Sequence, residues 1–347
     1  MRFGVVGAGA IGQLRIKALS NAEGCELTAI ADLDIARARA AAPSRDTGVF
    51  DDYQQMLESD AIDAVVVSTP PQFHEEMVTH ALEAGKHVLC EKPLSNSVNG
   101  CRRMIEVSSR TGKVLATGFN MRFYPAFQFM KQTIDSGVIG ELDNVRGFAG
   151  HVGLSEFKSS WEYDRSIVGG GALMDIGIHM IDLTQYLLGD VVEVFGIATS
   201  NIWKLNGSED NGYAIMRSPE GKIATLHASW SEWKGYRFHI EAYGDKGMVR
   251  GSYGPMRNML VYKKSPGGGF RRKLNFYPKN IILEKLLGWQ WTAEKSFRRE
   301  LEDFVRLTEG RSEVIADGFA GLRVVEIASA IYRSTEEKQS INLAARK

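Results

Sequence analysis

The stretch from Arg2 to Gly12 limits what this chain can fold into more than any other part of its 347 residues. It reads RFGVVGAGAIG, an apolar run that predicts a strand, followed by Gly7, Gly9 and Gly12 and then by residues with helical spacing. Asp32 follows 20 residues after the last glycine, at the end of the next predicted strand. This order of strand, glycine turn, helix and acidic residue is typical of a domain that binds a dinucleotide.

Each part of the pattern has a physical purpose. The glycines let the backbone approach a pyrophosphate that rests on a helix N-terminus, and the carboxylate accepts hydrogen bonds from ribose hydroxyls. A G-x-G-x-x-G turn alone is a weak signal, because tight turns without a ligand also match it, but the surrounding elements favour the cofactor. The residues expected to contact the cofactor here are Gly7, Gly9, Ala10, Ile11, Gly12 and Asp32.

The residues after Asp32 favour NAD over NADP. Leu33 and Asp34 follow it, so no adjacent arginine is available for a 2′-phosphate, and the carboxylate would repel that group. Arg37 and Arg39 lie one helical turn further along the chain and weaken this preference without reversing it. We therefore predict NAD as the cofactor, with NADP as the alternative.

The order of predicted elements indicates two domains. In residues 1–120, apolar strands alternate with helical patterns, which predicts a parallel sheet with helices on both faces. In residues 121–347, many strand-like runs are separated by turns and followed by helices from Glu294 to about Arg333. The predicted fold class is α/β, with an N-terminal Rossmann domain and a C-terminal α+β domain that has a largely antiparallel open sheet. A site is expected in the cleft between them.

Composition excludes several classes of partner. Lys+Arg and Asp+Glu both number 42, so no global field would attract nucleic acid or an anionic membrane. The 44% hydrophobic and 24% charged residues are typical of a soluble globular protein. Three scattered cysteines match no zinc pattern, and no apolar run approaches the roughly 18 residues of a membrane span. We expect a cytoplasmic protein without nucleic-acid or membrane partners.

Lys92 is the first candidate for chemistry. It lies in the sequence CEKP, just after the fourth predicted strand of the parallel sheet. Ligands of open α/β sheets bind beyond the carboxyl ends of the strands, so this lysine would point toward the nicotinamide end of the cofactor. A lysine next to Glu91 can also form an ordinary surface ion pair, which is the alternative.

A second candidate lies in GGGALMDIGIHMIDLTQYLLG, residues 169–189. Asp175 and His179 are four residues apart and Asp182 follows three later, so the three share one helical stripe. They could be metal ligands, but no further ligand cluster is present and H-E-x-x-H is absent, so we predict no metal. The other alternative is a set of satisfied polar core residues, which would be costly to bury without a function.

These motifs together resemble the Gfo/Idh/MocA family, the group similar to glucose-fructose oxidoreductase and inositol dehydrogenase. The resemblance covers nearly the whole chain and includes STP at residues 68–70, NMRF at 120–123 and EDN at 209–211. The chain departs from the family at Pro71, where the family often has asparagine. That departure affects a side-chain contact near the cofactor.

The resemblance implies a Rossmann domain that binds NAD(P) and a C-terminal sheet that forms homodimers or homotetramers. It implies that Lys92 and the Asp175/His179 pair face the nicotinamide. The further residues that it places near the cofactor are Ser68, Thr69, Pro70, His74 and Glu91. Arg122 and Trp161 are expected at the substrate, with a surface ion pair and a core aromatic as the respective alternatives.

The expected chemistry is hydride transfer between the nicotinamide and a secondary alcohol or ketone of a sugar, cyclic polyol or sugar derivative. We assign His179 as general acid/base, Lys92 as hydrogen-bond donor to the reacting oxygen, and Asp175 as the group that orients the substrate. The roles of His179 and Lys92 can be exchanged, because a desolvated lysine can act as a base. Asp182 is expected to be a supporting residue.

Two other functions are alternatives. The first is an NAD-dependent glycoside hydrolase or isomerase that uses transient oxidation and could carry the same lysine and histidine. The second is a non-catalytic regulator that senses a nucleotide, and it ranks last because such a protein would be expected to lose Lys92 or His179, which are both present.

Two late segments have no clear family counterpart. Residues 263–273, KKSPGGGFRRK, predict a solvated hairpin tip, with phosphate binding as the alternative. Residues 281–291 carry seven large apolar side chains, which predicts an oligomer contact or a lid.

Overall fold

The computed structural model describes residues 1–153, 159–205, 207–264, 268–312 and 314–345. The chain forms two compact units. The first contains Met1–Phe123 and Leu286–Val325, and the second contains Tyr124–Lys285 and the residues from Glu326 onward. Part of the C-terminal region therefore lies in the unit that carries the glycine turn. The division at residue 120 stays a prediction.

The first unit begins with alternating strands and helices. Its strands are apolar on both faces, as in the fully buried sequence AVVV, because helices cover both sides of a parallel sheet. The elements are β1 Arg2–Val6, α1 Ala10–Leu19, β2 Glu26–Ala31, α2 Ile35–Ala41, β3 Gly48–Phe50, α3 Tyr53–Leu57, β4 Ala64–Val67, α4 His74–Glu83, β5 His87–Glu91, α5 Val98–Thr111 and β6 Leu115–Gly118. Short 3-10 turns occupy Pro71–Phe73 and Asn120–Phe123.

The second unit contains a large sheet with helices on one face. Its strands alternate between buried and exposed residues, which is the pattern of a sheet with one covered face. The elements are α6 Pro125–Asp135, β7 Leu142–Gly150, α7 Arg165–Val168, α8 Ile178–Leu188, β8 Glu193–Thr199, β9 Asn211–Arg217, β10 Ile223–Ser229, β11 Arg237–Gly244, β12 Gly247–Tyr253, β13 Arg257–Lys263, β14 Phe270–Phe276 and α9 Pro278–Leu287. A 3-10 turn lies at Ser160–Tyr163 and a π-helical turn at Leu173–Gly177.

The last elements are α10 Gln290–Thr308, β15 Ala316–Asp317, α11 Gly318–Glu337 and β16 Ile341–Asn342, and they complete both sheets. The first sheet has the order β15-β6-β5-β4-β1-β2-β3, with parallel pairing throughout except at β15. The second has the order β14-β13-β12-β11-β7-β10-β9-β8-β16 and is antiparallel except for the parallel pair β7 and β10. These sheets confirm the predicted fold class.

Strand order reverses between β1 and β4, which is the switch point where open α/β sheets bind ligands. Helix α10 completes the core of this unit, because its Phe297, Leu301 and Phe304 pack in one buried cluster with Phe3 and Ile16. The sheet, its covering helices and α10 therefore form a single apolar core.

The helical segment from Arg165 to Leu188 is long and apolar enough to cross a membrane by length and composition. Inside the second unit, 83% of its most apolar window is buried. Helix α8 lies on β7 and β10, where a Cβ at Gly147 would overlap Met180 and one at Gly177 would lie 2.8 Å from Ala228. The burial is that of a core helix packed closely on a sheet.

Candidate active site

The glycine turn is packed against the end of a neighbouring strand at the switch point. Gly7 has a φ of +92°, which favours glycine, and its N–H donates to the carbonyl of Ala31 at 2.8 Å. A Cβ on Gly7 would lie 2.9 Å from the carbonyl oxygen of Ser68, and one on Gly12 would overlap the carbonyl oxygen of Gly7. Helix α1 therefore begins at the carboxyl ends of β1 and β4.

Gly9 differs from the other two glycines because it faces open space. A Cβ there would meet no atom within 4 Å, and the residue precedes the first turn of the ten-residue helix α1. Ala10 is exposed and Ile11 half-buried beside it. An uncrowded helix N-terminus fits the pyrophosphate of a dinucleotide, because the first amides of a helix have no partner within it.

Asp32 is buried and already holds three partners. Its carboxylate accepts the N–H of Ala8 at 2.7 Å and of Asp34 at 2.9 Å. The Arg37 guanidinium donates to both oxygens, at 3.1 and 2.6 Å. Burial opposes ionisation of this carboxyl, but Arg37 and the two amides outweigh it and lower its pKa. The structure thus brings Arg37 directly onto the residue expected to bind ribose.

The residues after β4 and β5 are joined through a buried histidine. His74 is fully buried, with Nε2 2.8 Å from the carbonyl oxygen of Thr69 and Nδ1 2.9 Å from that of Pro93. Burial lowers the pKa of this imidazole. Ser68 and Pro70 are half-buried beside Thr69. His74 thus fixes the backbone of both loops, and its contact with the cofactor stays a prediction.

Lys92 is half-buried directly after β5, the strand that pairs in parallel with β4. Because the strands are parallel, Lys92 lies at the same sheet edge as Ser68 and Thr69. Its backbone N–H donates to Oε2 of the buried Glu91 at 3.2 Å. The position is therefore that of a residue beyond the carboxyl end of a strand, as the sequence predicts.

In the second unit, backbone conformation explains Gly169, and close packing explains Gly170 and Gly171. Gly169 ends α7 with a φ of +91°. A Cβ on Gly170 would overlap the Tyr332 hydroxyl, and one on Gly171 would lie 2.5 Å from the backbone nitrogen of Glu209. The glycines therefore let the chain pass tightly between two neighbours.

Glu209, from the EDN sequence, anchors the helical segment that follows these glycines. Its carboxylate accepts the N–H of Gly171 at 2.8 Å and of Leu173 at 2.7 Å, and the Tyr332 hydroxyl donates at 3.0 Å. Its backbone carbonyl accepts the N–H of Ala172 at 2.9 Å. Burial raises the pKa of this carboxyl, and the donors oppose that shift. Three consecutive amides are thereby fixed by one residue.

The helix is not uniform along the predicted stripe. Asp175 lies in the π-helical turn Leu173–Gly177, and His179 lies at the start of α8. The Asp175 side chain is 28% exposed, while His179 is 9% and Asp182 0% exposed. Burial therefore deepens along the stripe, which fits a supporting position for Asp182. Such π-turns are frequent at functional sites.

Two further residues hold Asp175 in place. Its Oδ2 lies 2.8 Å from Nε2 of His151 and accepts the indole N–H of Trp230 at 3.0 Å. The N–H of Gly153 donates to Nδ1 of His151 at 3.0 Å, so the ring proton of the neutral imidazole is on Nε2, toward the carboxylate. His151 follows β7 and Trp230 follows β10, and the parallel pairing of these strands brings both residues to one edge.

Sequence reasoning selected neither His151 nor Trp230. A signal was present, because each residue lies near the end of a strand-like run of the sequence, but no local pattern shows that the two strands are parallel neighbours.

The two expected substrate residues have different surroundings. Arg122 is buried and its guanidinium donates to the carbonyl of Val314 at 3.0 Å, so the alternative of a surface ion pair is wrong. Trp161 is half-buried in the turn Ser160–Tyr163, so it is not a fully buried core aromatic. A substrate role for either residue stays a prediction.

The described parts of the two late segments include exposed residues. Residues 263–273 include the end of β13 and the start of β14, which pair as a hairpin, but 265–267 lie outside the described residues. Ile282, Leu286 and Trp289 are 56%, 72% and 51% exposed. Within the described ranges, no group of three or more His, Cys, Asp or Glu side chains is arranged to hold a metal.

Comparison with known proteins adds a family relationship. The sequence model of the GFO/IDH/MocA oxidoreductase family, NAD-binding Rossmann fold, matches residues 1–119, and that of the GFO/IDH/MocA C-terminal domain matches residues 127–250. Inositol 2-dehydrogenase of Rhizobium meliloti (strain 1021) is 31% identical over 350 aligned positions, which cover 99% of each chain. D-glucoside 3-dehydrogenase of Escherichia coli (strain K12) is 28% identical over 99% of this chain and 97% of that one.

A solved structure shares the fold over its whole length. Levoglucosan dehydrogenase in complex with NADH superposes with a TM-score of 0.86 and 24% sequence identity, and the match covers 99% of both chains.

We predict that Gly171→Ala destabilises the protein by about 1–3 kcal/mol, because the new methyl group must displace the backbone of Glu209. The free energy of unfolding in urea measures this loss. Gly269→Ala is the matched control: it adds the same methyl group into open space, so its effect should stay within about 0.5 kcal/mol. Equal effects of the two substitutions would contradict the close packing.

Proposed function

This chain belongs to the GFO/IDH/MocA family and is an NAD-dependent oxidoreductase, and we propose that it oxidises a secondary alcohol of a cyclic polyol or sugar. The similarity to inositol 2-dehydrogenase and D-glucoside 3-dehydrogenase along nearly the whole chain supports this substrate class. Both names describe oxidation of one hydroxyl on a ring. The same reaction in reverse reduces the corresponding ketone.

The residues around the glycine turn form the proposed cofactor site. The amides at the start of α1, next to the uncrowded Gly9, hold the pyrophosphate, and Asp32 accepts the ribose hydroxyls. Ser68, Thr69, Pro70 and Glu91 lie at the carboxyl edge of the same sheet. When bound, NAD supplies the acceptor for the hydride that leaves the alcohol carbon.

Side chains of the protein accept the hydroxyl proton and stabilise the oxygen that loses it. Oxidation of an alcohol removes a hydroxyl proton, and we assign this proton to the imidazole of His179, because histidine is the side chain that most often acts as a general base. The ammonium of Lys92 donates a hydrogen bond to the reacting oxygen and stabilises its developing negative charge. The reverse assignment, with Lys92 as the base, is the alternative.

The position of Asp175 carries the proposal. Its carboxylate is only 28% exposed and is held by His151 and Trp230 in the same helical segment as His179. A carboxylate fixed in this way can accept a hydrogen bond from a substrate hydroxyl and align the ring for reaction. Arg122 and Trp161 are proposed as further substrate contacts.

A screen of inositols, sugars and nucleotide sugars for NADH absorbance tests the function. With the best substrate, Lys92→Ala and His179→Ala should each lower kcat/KM by about 100-fold or more, because each removes a group that acts in the transition state. Binding of NADH, followed by its fluorescence, should persist in both variants. Full activity of either variant would contradict its assigned role.

Product analysis separates the alternative function. An enzyme that uses transient oxidation to hydrolyse or isomerise a glycoside would convert its substrate without net formation of NADH. The proposed dehydrogenase forms one NADH for each alcohol oxidised.

Cofactor choice follows from the contact between Arg37 and Asp32. We predict that Arg37→Ala increases the preference for NAD over NADP about tenfold, because Asp32 then loses the cation that neutralises it and repels a 2′-phosphate more strongly. The ratio of kcat/KM values for the two cofactors measures the change. Arg39→Ala on the same helix is the control and should leave the ratio unchanged; an equal shift there would contradict a specific role of Arg37.

We also propose a homodimer or homotetramer formed through the second sheet. Four apolar side chains on its exposed face lie next to each other, because β8 and β9 pair Phe195 with Ile215 and Ile197 with Tyr213. Their exposed fractions are between 39% and 53%. A contiguous apolar patch of this kind is typical of a protein interface.

The cytoplasm remains the proposed location, since Cys25, Cys90 and Cys101 form no disulfide.

We predict that Ile215→Glu converts the oligomer to a monomer of 38.4 kDa, because a buried charge at the centre of the patch would lose its hydration. Light scattering coupled to size-exclusion chromatography gives the mass. Ile282→Glu on α9 is the matched comparison and should leave the oligomer intact. Dissociation by Ile282→Glu alone would assign the contact to α9 instead of the sheet.

A further inference from the structure

Arg15, on helix α1, is completely buried in the first unit together with two glutamates. Its Nε donates to Oε1 of Glu91 at 2.6 Å, and its second terminal nitrogen lies 2.6 Å from the same oxygen. Its first terminal nitrogen donates to Oε2 of Glu300, on α10, at 2.5 Å. The side chains of Arg15 and Glu300 are both 0% exposed. One guanidinium therefore joins the first helix, the end of β5 and α10.

The surroundings hold the guanidinium in one orientation. The ring of Phe297 lies under it, with the central carbon 3.9 Å from the ring centroid. On another side, Gly118 leaves space for it, since a Cβ there would lie 2.6 Å from a terminal nitrogen of Arg15. A planar cation with five fixed donors is suited to such a site, and a lysine cannot reproduce its geometry.

Stability alone does not account for this arrangement. Transfer of each charged group from water to the interior costs several kcal/mol, and apolar residues of similar size are often equally or more stabilising. Two carboxylates around one guanidinium also leave an excess negative charge when all are ionised. What the network supplies is a fixed geometry for the backbone at the end of β5.

The carboxylate of Glu91 connects Arg15 to the backbone of Lys92. While one oxygen of Glu91 is held by Arg15, the other accepts the backbone N–H of Lys92 at 3.2 Å. Arg15 is itself on α1, which starts at Ala10 immediately after the glycine turn. A short chain of contacts therefore connects the proposed pyrophosphate site to the proposed catalytic lysine.

We propose that Arg15 is a positioning residue that fixes Lys92 relative to the glycine turn by holding Glu91. The inference rests on the proposed function, because it assumes that Lys92 acts on the substrate. In this role Arg15 contacts neither the substrate nor the cofactor. A displacement of about 1 Å in a reacting group can lower the rate by about 100-fold. Loss of the planar guanidinium that holds Glu91 should therefore affect catalysis more than binding.

Arg15→Lys tests the proposal, because it keeps the buried positive charge and removes the planar guanidinium with its fixed N–H donors. We expect kcat to fall by about tenfold or more while KM for the alcohol and the dissociation constant for NADH change by less than about threefold. Arg110→Lys is the control: it makes the same change in an exposed pair with Glu83 and should leave kcat unchanged. A parallel loss of NADH binding would overturn the positioning role.

A double-mutant cycle separates positioning of Lys92 from a general structural effect. In a Lys92→Ala background, Arg15→Lys should have little further effect on the residual kcat, because the residue that it positions is already absent. A full tenfold loss in that background would overturn the inference. Activity of Lys92→Ala equal to that of the unchanged enzyme would instead contradict the proposed function, so the two failures are distinguishable.

Glu91→Gln provides a second test if Arg15→Lys fails to fold. The glutamine amide retains an oxygen that can accept from Arg15. Its NH2 group replaces Oε2, so the hydrogen bond from the backbone N–H of Lys92 is lost. We expect kcat to fall by about tenfold or more, as in Arg15→Lys. An unchanged kcat in a folded Glu91→Gln variant would overturn the proposal.

Discussion

The close approach of helix α1 to the glycine turn after strand β1 is the constraint on which the first unit depends. At Gly12 no side chain fits, because a Cβ would overlap the carbonyl oxygen of Gly7. This contact places the start of the helix at the switch point of the sheet, beside the uncrowded Gly9. It also sets how deep Arg15 lies, one turn further along the same helix. The glycine sequence and the buried arginine are therefore parts of one packing arrangement.

Much of the first unit could be predicted from sequence because its signals are local. The glycine spacing, the acidic residue after β2 and the alternation of strands and helices are all short-range patterns, and the family resemblance they support is confirmed. The partners of Asp32 and Asp175 were harder to predict. Arg37 is only five residues from Asp32, but its contact depends on a rotamer that sequence does not specify. His151 depends on which strands are neighbours.

Long-range polar contacts explain why the surroundings of the helical segment at residues 169–189 could not be derived from sequence. Glu209 is 38 residues from Gly171 and 123 from Tyr332, yet it bonds to both. No periodicity encodes such a contact, because it is created by the packing of separate elements. The sequence shows the glycines and the EDN triplet as separate features, and only the fold shows that one makes space for the other. The catalytic roles of Asp175 and His179 remain predictions.

The two units differ in what occupies a helical N-terminus, and this difference supports the proposed position of the cofactor site. In the second unit, the amides of Gly171, Ala172 and Leu173 all bond to Glu209, so that terminus already has its own carboxylate. In the first unit, α1 begins beside Gly9, where a Cβ would meet no atom within 4 Å. An external anion needs accessible amides. The start of α1 can therefore receive a pyrophosphate, whereas the terminus bonded to Glu209 cannot. The terminus held by Glu209 provides a rigid support for side chains instead.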